Sequence, residues 1–213
     1  MQPSVNFFDG VRAIIFDCDG TLVDSGPLYL RAWEAGFATV GSKMDKNWYK
    51  KRSGLSESAL IEQFEALHQI EVDRSAIVPA MRAEFTANAA YLREIEHVAS
   101  IARAAFGVFP IAVASGGPGS LVRLSLEMIG LEALFDVVVT FEDVNIGKPK
   151  PDLFLEAARR LGVSPTECLV LEDSATGLTA AAKANMRSVD VRDENECAAL
   201  ASQLNSFRKR RAT

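Results

Sequence analysis

Short apolar runs alternate with longer helical repeats along most of the chain. Each run ends in polar or turn residues, which is typical of a buried parallel strand. The runs lie at about residues 11–16, 111–114, 137–140, 168–171 and 188–191. Because strands and helices alternate, the pattern predicts an α/β fold in which helices cover both faces of a Rossmann-like parallel sheet.

One long segment departs from this alternation. Between about residues 26 and 95 no run predicts a strand, and apolar residues such as Ile77, Met81 and Phe85 recur at fourfold spacing, which predicts helices. We therefore expect an all-α cap domain, residues 25–95, inserted into an α/β core domain made of residues 1–24 and 96–213.

Four polar clusters fall where predicted strands end or helices begin. The carboxyl ends of parallel strands meet at one edge of a sheet, where ligands bind in open α/β folds. We therefore expect the clusters to line one pocket that combines a nucleophile, a hydroxyl donor, a cation and a second acidic pair. The clusters are Asp17 with Asp19, Ser115 with Gly116, Lys148, and Glu172 with Asp173.

This mixture of groups indicates phosphoryl transfer. Carboxylates alone would repel a phosphate, but four of them suit a hard cation such as Mg²⁺, which prefers oxygen ligands. The cation and Lys148 would neutralise the phosphoryl oxygens, while Ser115 and the Gly116 N–H donate to them. Taken singly, each cluster has a plainer reading: Ser115 as a helix cap, Lys148 as an exposed loop lysine, and the acidic pair as a helix N-terminus.

The same clusters lie in four segments that resemble, in order, the four motifs of the haloacid dehalogenase superfamily. The closest resemblance is to the sugar phosphatase and β-phosphoglucomutase-like subgroup with a helical cap. The segments are Asp-Cys-Asp-Gly-Thr-Leu-Val-Asp at 17–24, Val-Ala-Ser-Gly-Gly at 113–117, Gly-Lys-Pro-Lys-Pro-Asp at 147–152, and Glu-Asp-Ser-Ala-Thr-Gly at 172–177.

The resemblance implies a role for each polar residue. Asp17 is the nucleophile and a metal ligand, and Asp19 is the general acid and base and binds the metal through its backbone carbonyl. Asp173 is the third ligand, Glu172 binds the metal directly or through water, and Ser115 and Lys148 hold the phosphoryl group. The cap of the family closes over the site and selects the substrate.

The segment 50–57 lies where members of the family place substrate loops. It contains Lys50, Lys51 and Arg52, of which we take Arg52 as the substrate-binding candidate. Two readings stay open for these cations: they bind a second anionic group of the substrate, or they are simply solvated.

Composition narrows the class of protein. Hydrophobic residues make up 48% of the chain, enough for a sizeable core, and the net charge of −5 gives no excess of basic residues for nucleic acid. The basic run 208–211 is expected to be a solvated tail.

Three widely spaced cysteines, Cys18, Cys168 and Cys197, fit buried residues of a reducing compartment rather than disulfides or a zinc site. We expect a cytoplasmic monomer that binds neither nucleic acid nor membrane.

The predicted function is a Mg²⁺-dependent phosphatase that hydrolyses a small phosphorylated metabolite, with a sugar phosphate expected, through an aspartyl phosphate. The alternative is a β-phosphoglucomutase-like phosphomutase. A dehalogenase is disfavoured because that branch lacks the second aspartate, present here as Asp19, and a non-enzymatic phosphate acceptor is disfavoured by the cap.

The β-phosphoglucomutases that the chain resembles carry histidine five residues beyond the aspartate that matches Asp24. That position is Tyr29 here, which favours hydrolysis.

Overall fold

The computed structural model describes residues 6–52 and 54–211, so Ser53, within the segment 50–57 where a substrate loop is expected, lies outside the described part. In that part the strands are β1 Ala13–Phe16, β2 Ile111–Ala114, β3 Val137–Val139, β4 Cys168–Glu172 and β5 Arg187–Asp190. They form a single parallel sheet with the strand order β3-β2-β1-β4-β5. The prediction of a parallel α/β sheet is therefore confirmed.

Helices connect the strands and cover the sheet. Alternate residues of a strand face opposite sides, and in β1 Ile14 and Phe16 pack into one apolar cluster while Ala13 and Ile15 pack into the other. The helices after the first strand are α1 Gly26–Ala38, α2 Lys46–Lys50, α3 Glu57–His68, α4 Arg74–Ala87, α5 Glu96–Ala105, α6 Gly119–Met128, α7 Phe141–Val144, α8 Asp152–Leu161, α9 Ala175–Lys183 and α10 Glu194–Arg211. Apolar residues of α5, α6 and α10 join the first cluster, and those of α8 and α9 join the second.

The segment between β1 and α5 is helical throughout its described elements, which are α1 to α4 and a 3₁₀ turn at Ala89–Tyr91. Its entering and leaving chains run side by side, because Asp24 N–H donates to the Arg93 carbonyl at 2.9 Å and Ile95 N–H donates to the Leu22 carbonyl at 2.9 Å. A compact inserted unit requires such adjacent connections. The division into a cap at 25–95 and a core made of 1–24 and 96–213 remains a prediction.

The C-terminal basic run 208–211 is helical and ends the 18-residue helix α10, and Arg208 and Lys209 are exposed, as expected of a solvated segment. Cys197, Leu200 and Leu204 are buried along this helix and anchor it to the sheet. Their spacing is helical, but charged and polar residues surround them, so the apolar signal in the sequence is weak. All three cysteines are buried and free, as predicted.

None of the helices in the described part of the chain has both the length and the apolar character needed to cross a membrane.

Candidate active site

The predicted polar clusters meet at the carboxyl edge of the sheet, in a pocket of about 220 Å³. The pocket lies beyond β1 and β4, where the order of strands along the sheet reverses, and this is where open α/β sheets bind ligands. Its far wall comes from the helical segment, with Tyr29 and Tyr49 among the lining residues. The residues singled out from the sequence all line it: Asp17, Asp19, Arg52, Ser115, Gly116, Lys148, Glu172 and Asp173.

Asp17 and Glu172 are placed by neighbouring strands. Phe16 pairs with Leu171 in the parallel register of β1 and β4, and the Asp17 N–H extends this pairing by donating to the Leu171 carbonyl at 3.0 Å. The next residue of each strand therefore carries a carboxylate on the same edge. Cys18, one residue further, turns into the apolar core, because successive side chains of an extended chain face opposite ways.

Lys148 bridges these two carboxylates from the loop between α7 and α8. Its Nζ lies 2.5 Å from Asp17 Oδ1 and 2.6 Å from Glu172 Oε2, and its side chain is 5% exposed. Burial lowers the pKa of Lys148, but the charges of Asp17 and Glu172 outweigh burial and raise it above its usual value. Lys148 is therefore a protonated cation at the centre of the pocket.

Asp173 adds a third carboxylate to the cluster. Oxygen atoms of Asp17, Glu172 and Asp173 all lie within 4.8 Å of one another. Burial and the charge of Glu172 raise the pKa of Asp173 to about 6. The same two causes, burial first and the Glu172 charge second, raise the pKa of Asp17. Because three carboxylates surround the single ammonium group of Lys148, the cluster keeps an excess of negative charge.

The donor set fits a divalent cation with a preference for oxygen, because all three side chains offer carboxylate oxygens and no thiolate or imidazole lies among them. Thr21 Oγ1 donates to Asp173 Oδ1 at 3.3 Å and orients one of these ligands. Gly20, with φ of +89°, lets the acidic loop pass close to Asp173, since a Cβ there would lie 2.5 Å from Asp173 Oδ2.

The Glu172 carboxylate is fixed by the start of α9. It accepts from Ser174 N–H at 2.9 Å and Ser174 Oγ at 2.7 Å, and the same hydroxyl accepts from Gly177 N–H at 3.0 Å as the helix cap. Burial raises the pKa of Glu172, but Lys148 and these donors outweigh burial and lower it. A Cβ on Gly177 would overlap the Glu172 carboxylate, so glycine is required for the carboxylate to sit here.

We expect Gly177→Ala to disturb both stability and activity. Alanine inside a helix normally stabilises by about 1 kcal/mol over glycine, but here its methyl group must displace Glu172 from Lys148 and Ser174, which we expect to lower the free energy of unfolding by about 2 kcal/mol. Denaturant unfolding measures this change. The matched control is Gly26→Ala in α1, where a Cβ meets nothing within 4 Å, and equal effects of the two substitutions would contradict the prediction.

Asp19 lies across the pocket with two hydroxyl partners. Ser25 Oγ donates to Asp19 Oδ1 at 2.6 Å, and Ser115 Oγ donates to Asp19 Oδ2 at 3.4 Å. Burial raises the pKa of Asp19 although both hydroxyls and Lys148 act in the opposite direction. A carboxyl with a raised pKa suits a group that gives and takes a proton. Ser115 also accepts from the Gly117 N–H at 3.1 Å, which shapes the turn after β2.

Arg52 reaches the pocket from the loop after α2. Its guanidinium lies 4.5 Å from the centre of the Trp48 ring, and it donates to Gln63 Oε1 at 2.8 Å and to the Trp48 carbonyl at 3.0 Å. Over the described ranges 6–52 and 54–211, Arg52 forms no ion pair, so a positive charge is held in place at the pocket wall.

The sequence reasoning did not identify several residues of this pocket. Ser25 was not singled out, although it follows the first motif directly and its hydroxyl binds Asp19. Thr21 lies behind the pocket, where its hydroxyl binds Asp173, and the motif alone gives it no role. Tyr49 and Glu57 come from α2 and α3, and no spacing in the sequence connects them with the strand ends, because only the packing of the helical segment brings them there.

Comparisons with known proteins identify the family of this chain. A model of the family described as haloacid dehalogenase-like hydrolase matches residues 11–185. The fructose-1-phosphate phosphatase YqaB of Escherichia coli K12 is 31% identical over 187 residues, which cover 87% of this chain and 98% of the relative.

Solved structures share the architecture. CbbY from Rhodobacter sphaeroides, crystallised with phosphate, is 27% identical and superposes with a TM-score of 0.77 over 84% of each chain. A β-phosphoglucomutase from Clostridium difficile is 19% identical, with a TM-score of 0.76 over 92% of this chain and 98% of that one, and shows the shared fold. The chain belongs to the haloacid dehalogenase-like hydrolase family, and the resemblance carried by its four motifs is confirmed.

Proposed function

We propose that this hydrolase removes phosphate from a small phosphorylated carbohydrate through an aspartyl phosphate on Asp17, with Mg²⁺ bound at the acidic cluster. The enzyme class is established, because the chain is a phosphoric monoester hydrolase of its family and its relatives include a phosphatase of fructose 1-phosphate. The proposed substrate and mechanism are supported above all by one observation: Asp17, Lys148 and Asp19 line the same pocket.

In the first step, an Asp17 oxygen forms a bond to phosphorus while the ester P–O bond breaks. The departing alcohol oxygen takes a proton from Asp19, whose pKa is raised by burial. In the second step, Asp19 takes a proton from water, and the water oxygen attacks the same phosphorus. Phosphate leaves and the Asp17 carboxylate is restored, so that a difficult displacement is divided into two easier ones.

The phosphoryl oxygens carry most of the charge in both steps. Lys148 lies beside Asp17 and supplies a fixed ammonium group, while the Ser115 hydroxyl and the Gly116 N–H are the proposed hydrogen-bond donors. Asp17, Glu172 and Asp173 would hold the cation, together with the backbone carbonyl of Asp19. The cation, when bound, supplies further neutralisation of phosphoryl charge.

The helical segment is proposed to act as a cap that selects the alcohol half of the substrate. It closes the pocket opposite Asp17 with side chains from α1, α2 and α3. Arg52 is the proposed substrate contact of this wall, because its guanidinium is held against Trp48 and forms no ion pair among the residues described.

The test compares hydrolysis with phosphomutase action. We expect the enzyme to release inorganic phosphate from small sugar phosphates with Mg²⁺ and without a bisphosphate activator. β-Glucose 1-phosphate is incubated with and without glucose 1,6-bisphosphate while phosphate and glucose 6-phosphate are followed together, and a panel of sugar phosphates is screened alongside. Efficient formation of glucose 6-phosphate with negligible phosphate release would overturn the hydrolytic proposal in favour of the mutase.

A further inference from the structure

The N-cap residue of α1 and one face of that helix line the pocket from the carboxyl edge of the sheet to the far wall. Ser25, Tyr29 and Trp33 all line it, and their spacing of four residues places them on the same side of a helix. The first of them, Ser25, donates to Asp19 at 2.6 Å. Tyr29 is therefore one turn of helix beyond the residue that holds the proposed general acid.

The Tyr29 hydroxyl is a buried donor without an acceptor. Its oxygen is buried and has no hydrogen-bond partner among the residues that the structure describes, while the side chain as a whole is half-buried and lines the pocket. The ring is fixed against Phe85, with the two ring centres 4.5 Å apart. Nearly all buried polar groups in proteins are paired, because an unpaired one costs free energy, so the missing acceptor points to a partner that the chain itself does not provide.

The charges around this hydroxyl define what it can bind. Burial, and after it the charge of Asp19, raises the pKa of Tyr29 well above its ordinary value, with smaller contributions from Tyr49 and Glu57. Tyr29 is thus a neutral phenol at physiological pH and acts as a proton donor in a hydrogen bond. It requires an oxygen acceptor.

We infer that the Tyr29 hydroxyl is a specificity-determining donor that binds an oxygen on the alcohol half of the substrate, which selects phosphate monoesters of polyhydroxy alcohols. This inference rests on the proposed function. Lys148 and Ser115 occupy the phosphoryl side of the pocket, and Asp19 serves the ester oxygen, so a donor one helical turn further along α1 meets the group beyond that oxygen. A hydroxyl or ring oxygen close to the ester can accept this hydrogen bond from Tyr29, whereas an aryl group cannot.

The experiment compares Tyr29→Phe with the wild-type enzyme on two substrates, fructose 1-phosphate and phenyl phosphate, whose leaving group has no other oxygen. Loss of one neutral hydrogen bond to the substrate is expected to lower the ratio of kcat/KM for fructose 1-phosphate to that for phenyl phosphate about tenfold. The matched control is Tyr91→Phe, because the Tyr91 side chain is outside the pocket and 72% exposed. This control is expected to keep the wild-type ratio.

Thermal unfolding gives a second readout. Because the hydroxyl has no partner in the chain, Tyr29→Phe is expected to leave the Tm of the free enzyme unchanged or to raise it, whereas a hydroxyl with a structural partner would give a lower Tm. A wild-type ratio of kcat/KM in Tyr29→Phe, or a lowered Tm, overturns the inference. Failure of the wild-type enzyme on every sugar phosphate of the panel overturns the proposed function instead.

Discussion

Asp17→Asn is expected to abolish turnover while the protein stays folded. The amide does not attack phosphorus, so no aspartyl phosphate forms, and kcat should fall by about 10⁴-fold or more, as it does when other enzymes lose their nucleophile. The fold should survive because Lys148 keeps its second partner, Glu172, at 2.6 Å. The substitution also removes one of three clustered negative charges, so the free energy of unfolding should not decrease.

Phosphate release, circular dichroism and thermal unfolding of Asp17→Asn measure these expectations together. The matched control is Asp9→Asn, which makes the same change at an exposed aspartate before the first strand and should keep wild-type activity. Asp17→Asn offers one more check, because ³²P from a labelled substrate should remain on the wild-type protein after an acid quench but not on the variant. Substantial activity in a natively folded Asp17→Asn protein would show that another group attacks phosphorus.

The residues at the carboxyl edge of the sheet were predictable because their positions depend on local sequence. Asp17 follows a continuous apolar run, and Glu172 ends another, so that parallel strands suffice to bring the two carboxylates together. Lys148 needed the family resemblance, since a loop lysine has no periodic signal of its own. Its position 2.5 Å from Asp17 follows from the course of the loop between α7 and α8.

The opposite wall of the pocket was not predictable in the same way. Tyr29 and Trp33 share a helical face with other apolar residues, and the sequence does not show which members of that face meet solvent, core or pocket. Glu57 was interpretable only as part of a helix start, yet its carboxylate is held by Arg82 at 2.9 and 2.7 Å from a helix 25 residues away in sequence. Such contacts depend on how α3 packs against α4.

Removal of divalent cations is expected to abolish activity, and Mg²⁺ is expected to restore it. The physical reason is the charge of the cluster: Asp17, Glu172 and Asp173 face a single ammonium group, that of Lys148. A dianionic phosphate brought to this edge would meet net negative charge. A bound cation removes that repulsion, and the oxygen-only donor set suits Mg²⁺.

Binding of the cation is also measurable without turnover. A ligand that binds only the folded protein stabilises it by about 2.7 kcal/mol at a concentration 100 times its Kd, so Mg²⁺ should raise the Tm of the chelator-treated wild-type enzyme. Asp173→Asn removes one ligand while Lys148 keeps both of its carboxylate partners. This variant should show a smaller rise in Tm and need more Mg²⁺ for half-maximal activity, whereas Asp9→Asn should respond like the wild type. Full activity in excess chelator, together with a Tm that does not respond to Mg²⁺, would refute a cation site at these three carboxylates.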